Sequence, residues 1–178
     1  PNIHMYFDHK CTNANLETNE TTFVNAAGEI VKDKADVILS TDGAFSAVRD
    51  AMIRYPRYNF SQTYENYGYK ELEIVPAPNG GFQMDVNSLH IWPRSSFLMI
   101  ALPNPGGNFT CTLFMPFEGE VSLENLNTKE AVTSFFETYF PDVLSMMPNL
   151  VDDFLNNPTG NLATMRCYPW VKNNVALM

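Results

Sequence analysis

Apolar and polar positions follow two periods along this chain, and the places where one gives way to the other mark its elements. Ile3, Met5 and Phe7 alternate with Asn2, His4, Tyr6 and Asp8, so a half-buried strand is predicted over residues 1–11. Residues 12–22 are rich in Asn and Thr and read as a loop or hairpin. Residues 22–24 and 29–31 flank Asn25-Ala26-Ala27-Gly28, which reads as a hairpin turn. Residues 35–40, with Val37-Ile38-Leu39 at their centre, are predicted to be a buried strand. Asp42-Gly43 breaks it, and Phe45, Val48 and Met52 then recur at helical spacing, predicting a helix over 44–53.

The middle reads as β-rich. Strands are predicted over 70–75, 81–92, 97–102 and 108–114, with turns at 92–96 and 103–107. Loops this short join antiparallel neighbours, so the segment is a meander. Leu98, Ile100 and Leu102 share one face; Phe97, Met99 and Ala101 share the other. With both faces apolar, the sheet is either covered on both sides or covered on one and lining a pocket on the other. The last third turns helical. Asn127 is the expected N-cap, with Glu130 as its reciprocal partner. Val132, Phe135, Phe136 and Tyr139 form a stripe at i, i+3, i+4 and i+7. Pro141 ends that helix and can start the next. The apolar run 175–178 reads as a buried strand. Neither end looks like a natural terminus, so an internal part of a larger protein is expected.

Composition narrows the function classes. The 178 residues carry 11 basic and 20 acidic side chains, a net charge of −9, which argues against nucleic-acid binding. The longest apolar run, residues 97–102, is far too short to span a membrane. Cys11, Cys111 and Cys167 lie far apart with no CxxC, so reduced thiols in a reducing, cytoplasmic setting are expected. His4, His9 and His90 share no metal-ligand spacing and read as hydrogen-bonded structural residues; no metal site is expected. No two glycines lie two apart, so there is no G-x-G of any kind, and no nucleophile elbow occurs either.

One segment carries chemistry. Asp36 to Arg49 reads as a buried strand, an Asp42-Gly43 turn, then a helix bearing Ser46 and Arg49 on its first turns. Gly43 permits close backbone approach, and N–H groups at the helix start favour an anionic neighbour. Arg49 could pair with Asp42 or reach a phosphate. A capped turn alone would look the same.

The whole pattern, D-x-x-x-x-x-D-G-x-x-S-x-x-R, resembles the internal signature of the flavoprotein aromatic hydroxylases. The blocks Leu89-His90-Ile91-Trp92-Pro93-Arg94, Ile100-Ala101-Leu102-Pro103-Asn104, 109–118 and 136–142 resemble, more narrowly, the members of that family that act on kynurenine. The resemblance implies FAD as cofactor, NADPH as reductant, O2 as co-substrate and L-kynurenine as the aromatic substrate. It implies an α/β (α+β) fold: part of a Rossmann-like FAD-binding domain (1–53, with a return strand at 166–178) joined to an antiparallel substrate-binding sheet with helices (54–165). Carried over by position, Asp42, Gly43, Ala47 and Cys11 would lie at the cofactor. Leu89, Leu98, Ile100, Leu102, Thr112 and Phe114 would face the substrate. The family's charged substrate anchors fall outside this segment, so no catalytic residue is named and the isolated chain is expected to be inactive. Two alternatives stand beside this reading: a related hydroxylase with another aromatic substrate, and a non-enzymatic α/β ligand-binding module.

Overall fold

A computed structural model describes residues 2–178, and these divide into two compact units. One is built from residues 2–63 and 163–178, the other from 64–162.

The first unit holds two small sheets and one helix. Strands β1 (Lys10–Asn15), β2 (Glu20–Val24) and β3 (Ile30–Lys34) form an antiparallel sheet in that order. The 25–28 turn between β2 and β3 closes as the sequence predicts, with Asn25 Oδ1 accepting from the backbone of Ala27 and Glu29. Strand β4 (Ile38–Ser40) pairs in parallel with β11 (Val175–Leu177), and β11 pairs antiparallel with β10 (Val171–Lys172). Helix α1 (Ala47–Ile53) sets Val48, Ala51 and Met52 against Ala14, Leu16 and Val175.

Several expectations shift here. The first strand begins only at Lys10; Ile3, Met5 and Phe7 lie outside it and are exposed, because no described strand pairs with them. Residues 12–22 take the hairpin of the two forms expected, with β1 running on to Asn15 and buried Leu16 opening the turn. The 35–40 strand shrinks to Ile38–Ser40, and Val37 and Leu39 are exposed. The helix begins at Ala47 because Ser46 Oγ accepts from Arg49 N and caps it there; Phe45 sits in a preceding 3-10 turn and points outward.

The second unit is a five-stranded sheet with helices on one face. Its order is β6 (His90–Arg94), β7 (Phe97–Pro103), β8 (Phe109–Pro116), β5 (Asn59–Ile74), β9 (Thr159–Tyr168), with β5 and β9 carrying the chain between the units. The expected meander of β6, β7 and β8 is present, and β5 pairs antiparallel with β8. The predicted strand 81–92 is not: residues 81–89 are turns, and Trp92-Pro93-Arg94, expected as a turn, belongs to β6. Pro93 is tolerated because β6 is an edge strand. The strand predicted over 70–75 starts eleven residues earlier, at Asn59.

Helices α2 (Lys129–Tyr139), α3 (Pro141–Leu144) and α4 (Leu150–Asn156) cover the sheet. The N-cap of α2 is Thr128, whose hydroxyl accepts from Ala131 N; Asn127 instead donates to Glu124 O. Pro141 opens α3 as expected. Phe135, Phe136, Phe140 and Phe154 pack on Met99, Cys111, Leu113 and Met115 in one continuous core. Each such aromatic contributes about 1.5–3 kcal/mol by leaving water. Trp92 Nε1 donates to Asp142 Oδ2 at 2.7 Å and Arg94 Nε to Tyr139 O at 2.7 Å, tying the edge strand to the junction of α2 and α3.

Candidate functional site

Each unit contributes a candidate surface. In the first, the Asp42-Gly43 turn is held from both sides. The Asp42 carboxylate accepts from Ser40 Oγ and from the backbone N–H of Ala47 (2.8 Å) and Val48 (3.4 Å). Burial alone would raise its pKa, but bonds from the Ser40 and Ser46 hydroxyls and the Val48 backbone outweigh that and hold it below the ordinary value. Arg49, buried, turns back on the same turn: its guanidinium donates to Gly43 O at 3.2 Å and Ala44 O at 2.6 Å and lies 4.9 Å from the Phe60 ring centre. It therefore neither pairs with Asp42 nor reaches outward, as the sequence had allowed. Gly43 adopts φ +74°, and a Cβ there would meet no neighbour within 4 Å, so this backbone is open to an incoming group.

Cys11 on β1 and Asp42 border one cavity of about 220 Å³, with Phe23, Ile38, Thr41 and Val48 among its walls. Burial, and then the charge of Asp42, push the Cys11 thiol above its ordinary value, so it stays protonated and is a wall rather than a nucleophile. The structure thus brings together Cys11, Asp42 and Gly43. Ala47 lies half-buried one turn on, and its N–H is already taken by Asp42.

In the second unit, the sheet face away from the helices holds the other group. Register pairs Leu98 with Phe114, Ile100 with Thr112, and Ile91 with Ile100, so these side chains share one face. Leu102 continues that face at 49% exposure, and extending the His90–Ala101 register places Leu89, also exposed, opposite it. Their neighbours in sequence, Phe97, Met99, Ala101, Cys111, Leu113 and Met115, are buried on the helix side. At the Leu98–Phe114 end a cavity of about 380 Å³ opens, bordered by Tyr67 and the 94–96 turn. That volume is at the lower end for small-molecule sites.

The sequence reading placed the fourth strand of this face at 70–75 and missed that Tyr69 and Glu71 extend the open face. On β5, Tyr69 pairs with Phe114 and Glu71 with Thr112, while Gly68, Lys70, Leu72 and Ile74 point to the helices. Gly160 on β9 has no side chain where the Tyr69 ring lies. The signal was present as a polar/apolar alternation, but Lys70 on the apolar side obscured it. Its ammonium reaches Asn157 O (2.6 Å) at the end of α4, and burial lowers its pKa.

Comparison with known proteins now gives the chain its relatives. It is 48% identical to the kynurenine 3-monooxygenase of Dictyostelium discoideum over 171 residues, 95% of this chain and 36% of that protein. The chain is a kynurenine 3-monooxygenase homologue. It is 45% identical over 173 residues to the Flavobacterium psychrophilum protein of that name (97% of this chain, 38% of that protein). With the Drosophila melanogaster one it shares 43% over 180 residues, all of this chain and 38% of that protein. The chain therefore spans 36–38% of the length of these relatives. No family model matches it. Among solved structures, the C294A mutant of 2-methyl-3-hydroxypyridine-5-carboxylic acid oxygenase superposes with TM-score 0.62 at 16% identity, covering 95% of this chain and 43% of that one. Klebsiella pneumoniae HpxO, solved with FAD and uric acid, superposes with TM-score 0.56 at 15% identity, covering 96% and 41%. These establish the fold: mixed α/β with an antiparallel sheet, shared with that oxygenase and with HpxO.

Proposed function

We propose that this chain works as part of an FAD-dependent, NADPH-using monooxygenase that hydroxylates L-kynurenine to 3-hydroxykynurenine in the cytoplasm. The observation that carries it is the 43–48% identity to kynurenine 3-monooxygenases along nearly the whole chain. In this reading the unit of residues 2–63 and 163–178 serves the cofactor, and that of 64–162 serves the substrate. The residues fit FAD as one wall of its site. Gly43 offers open backbone, and Cys11 and Asp42 border a cavity far smaller than a dinucleotide. Asp42, Gly43, Ala47 and Cys11 would lie along the cofactor. Bound FAD supplies the chemistry that reduces O2 with NADPH electrons and delivers one oxygen atom to the aromatic ring.

The chain's own residues bind and orient. Asp42 and Arg49 fix the turn on which the cofactor rests. Leu98, Ile100, Leu102 and Phe114, with Leu89 and Thr112, form an apolar face that holds the ring and displaces water from it. The test is direct. The full-length protein should retain yellow flavin and convert L-kynurenine only with NADPH and O2. A full-length protein that binds no flavin, or that oxidises NADPH without hydroxylating L-kynurenine, would contradict the reading. The isolated 178-residue chain should turn over nothing and retain no stoichiometric flavin.

A further inference from the structure

Two rows of the apolar sheet face end in a hydroxyl and a carboxylate, Thr110 with Glu73 and Thr112 with Glu71. From edge to centre, register sets Ile91, Ile100, Thr112 and Glu71 side by side. Adjacent residues in such a row have Cβ atoms about 4.5–5.5 Å apart. The neighbouring row, Pro93, Leu98, Phe114 and Tyr69, has the 380 Å³ cavity at its end and offers rings and an aliphatic side chain. Glu73, the next carboxylate on the face, already accepts from Asn108 Nδ2. Glu71 is exposed beside the Thr112 hydroxyl.

An aromatic amine delocalises its nitrogen lone pair into the ring, so it is a good donor and a poor acceptor. The side chain suited to reading it is an ionised carboxylate, which only accepts. We propose that Glu71, backed by Thr112, is the specificity-determining residue that accepts the N–H groups of an aromatic amine lying on the apolar rows. The inference rests on the kynurenine reading and deepens it, since it assigns the group that recognises the ring amine.

Full-length, flavin-loaded protein provides the test. Perturbation of the flavin spectrum is titrated with L-kynurenine and with its analogue bearing hydrogen in place of the ring amine. Glu71→Gln should weaken L-kynurenine about tenfold, and Thr112→Val about threefold, with the amine-free analogue held within twofold in both. Flavin content reports folding, and Thr112→Val remains informative if Glu71→Gln loses flavin. Unchanged L-kynurenine affinity in both variants, or equal losses for both ligands, overturns the proposal while leaving the kynurenine reading intact. A wild-type protein that binds neither ligand overturns both.

Discussion

The two faces of the five-stranded sheet are made by the same strands, yet one is covered by helices and the other stays part-exposed. Met99 is fully buried under the helices, while Leu98 beside it is 36% exposed on the open side. Along β7 both faces are apolar, whereas along β8 the open face carries Thr110 and Thr112 beside Phe114. Among the described residues, only one face is matched by an apolar helix stripe, that of Val132, Phe135 and Phe136. Apolar residues under that stripe stabilise the fold. Those on the other side remain part-exposed, and the proposed function assigns that surface to the ligand. A hydrophobic residue in a strand is therefore not informative about role until the opposing layer is known.

The comparison can be broken by substitutions on either face. Phe136→Ala should cost about 3–5 kcal/mol, because it opens a cavity among Phe135, Phe140 and Phe154; chemical denaturation of the chain would measure it. Ile100→Ala on the open face should cost well under about 1 kcal/mol in the same experiment. A comparable loss at both positions would mean that the faces do not differ. Removing the tie between edge strand and helices, Asp142→Ala, should cost about 0.5–1 kcal/mol, since water can replace the acceptor that Trp92 Nε1 loses at this exposed site. The first unit offers a parallel case: Asp42→Ala removes the bond to Ala47 N and should cost about 1 kcal/mol.

Two pH responses sharpen the same contrast. Burial pushes the Cys111 thiol up to about 12. The unfolded thiol ionises near its ordinary value while the folded one keeps its proton. Its contribution to stability is therefore complete below about pH 9 and is lost as pH rises toward 12. At neutral pH Cys111 should resist alkylation in the folded protein, whereas half-buried Cys11 and Cys167 react faster; mass spectrometry of timed samples would show the order. Asp42 runs the other way. Its folded pKa lies below the ordinary value, so its contribution is present above about pH 4 and fades as pH falls through the folded value. Asp42→Asn should flatten that acid limb slightly.

Much of this was legible in the sequence where local rules decide. The α2 stripe, the 25–28 turn, the Pro141 boundary and the β7–β8 alternation all follow from spacing. What was not legible depends on partners. Residues 3–7 have the strand period, but no described strand pairs with them. Pro93 reads as a turn unless β6 is known to be an edge. Thr128 displaces Asn127 as N-cap because its hydroxyl accepts from Ala131 N while the Asn127 amide turns back to Glu124 O. At the candidate site, the Asp42-Gly43 pattern stood out, but Arg49's inward course depends on carbonyls that only the folded turn presents. The Glu71 row needed the β5–β8 register, which no local signal fixes.

The most direct test of the central claim is steady-state kinetics of the full-length protein with Ile100→Ala, paired with its thermal midpoint. The account predicts a KM for L-kynurenine raised about tenfold with the midpoint shifted by no more than about 2 °C, because the proposal assigns Ile100 to the ligand rather than to the core. A midpoint lowered as far as that of Phe136→Ala, with KM unchanged, would contradict it and make the open face part of the structural core.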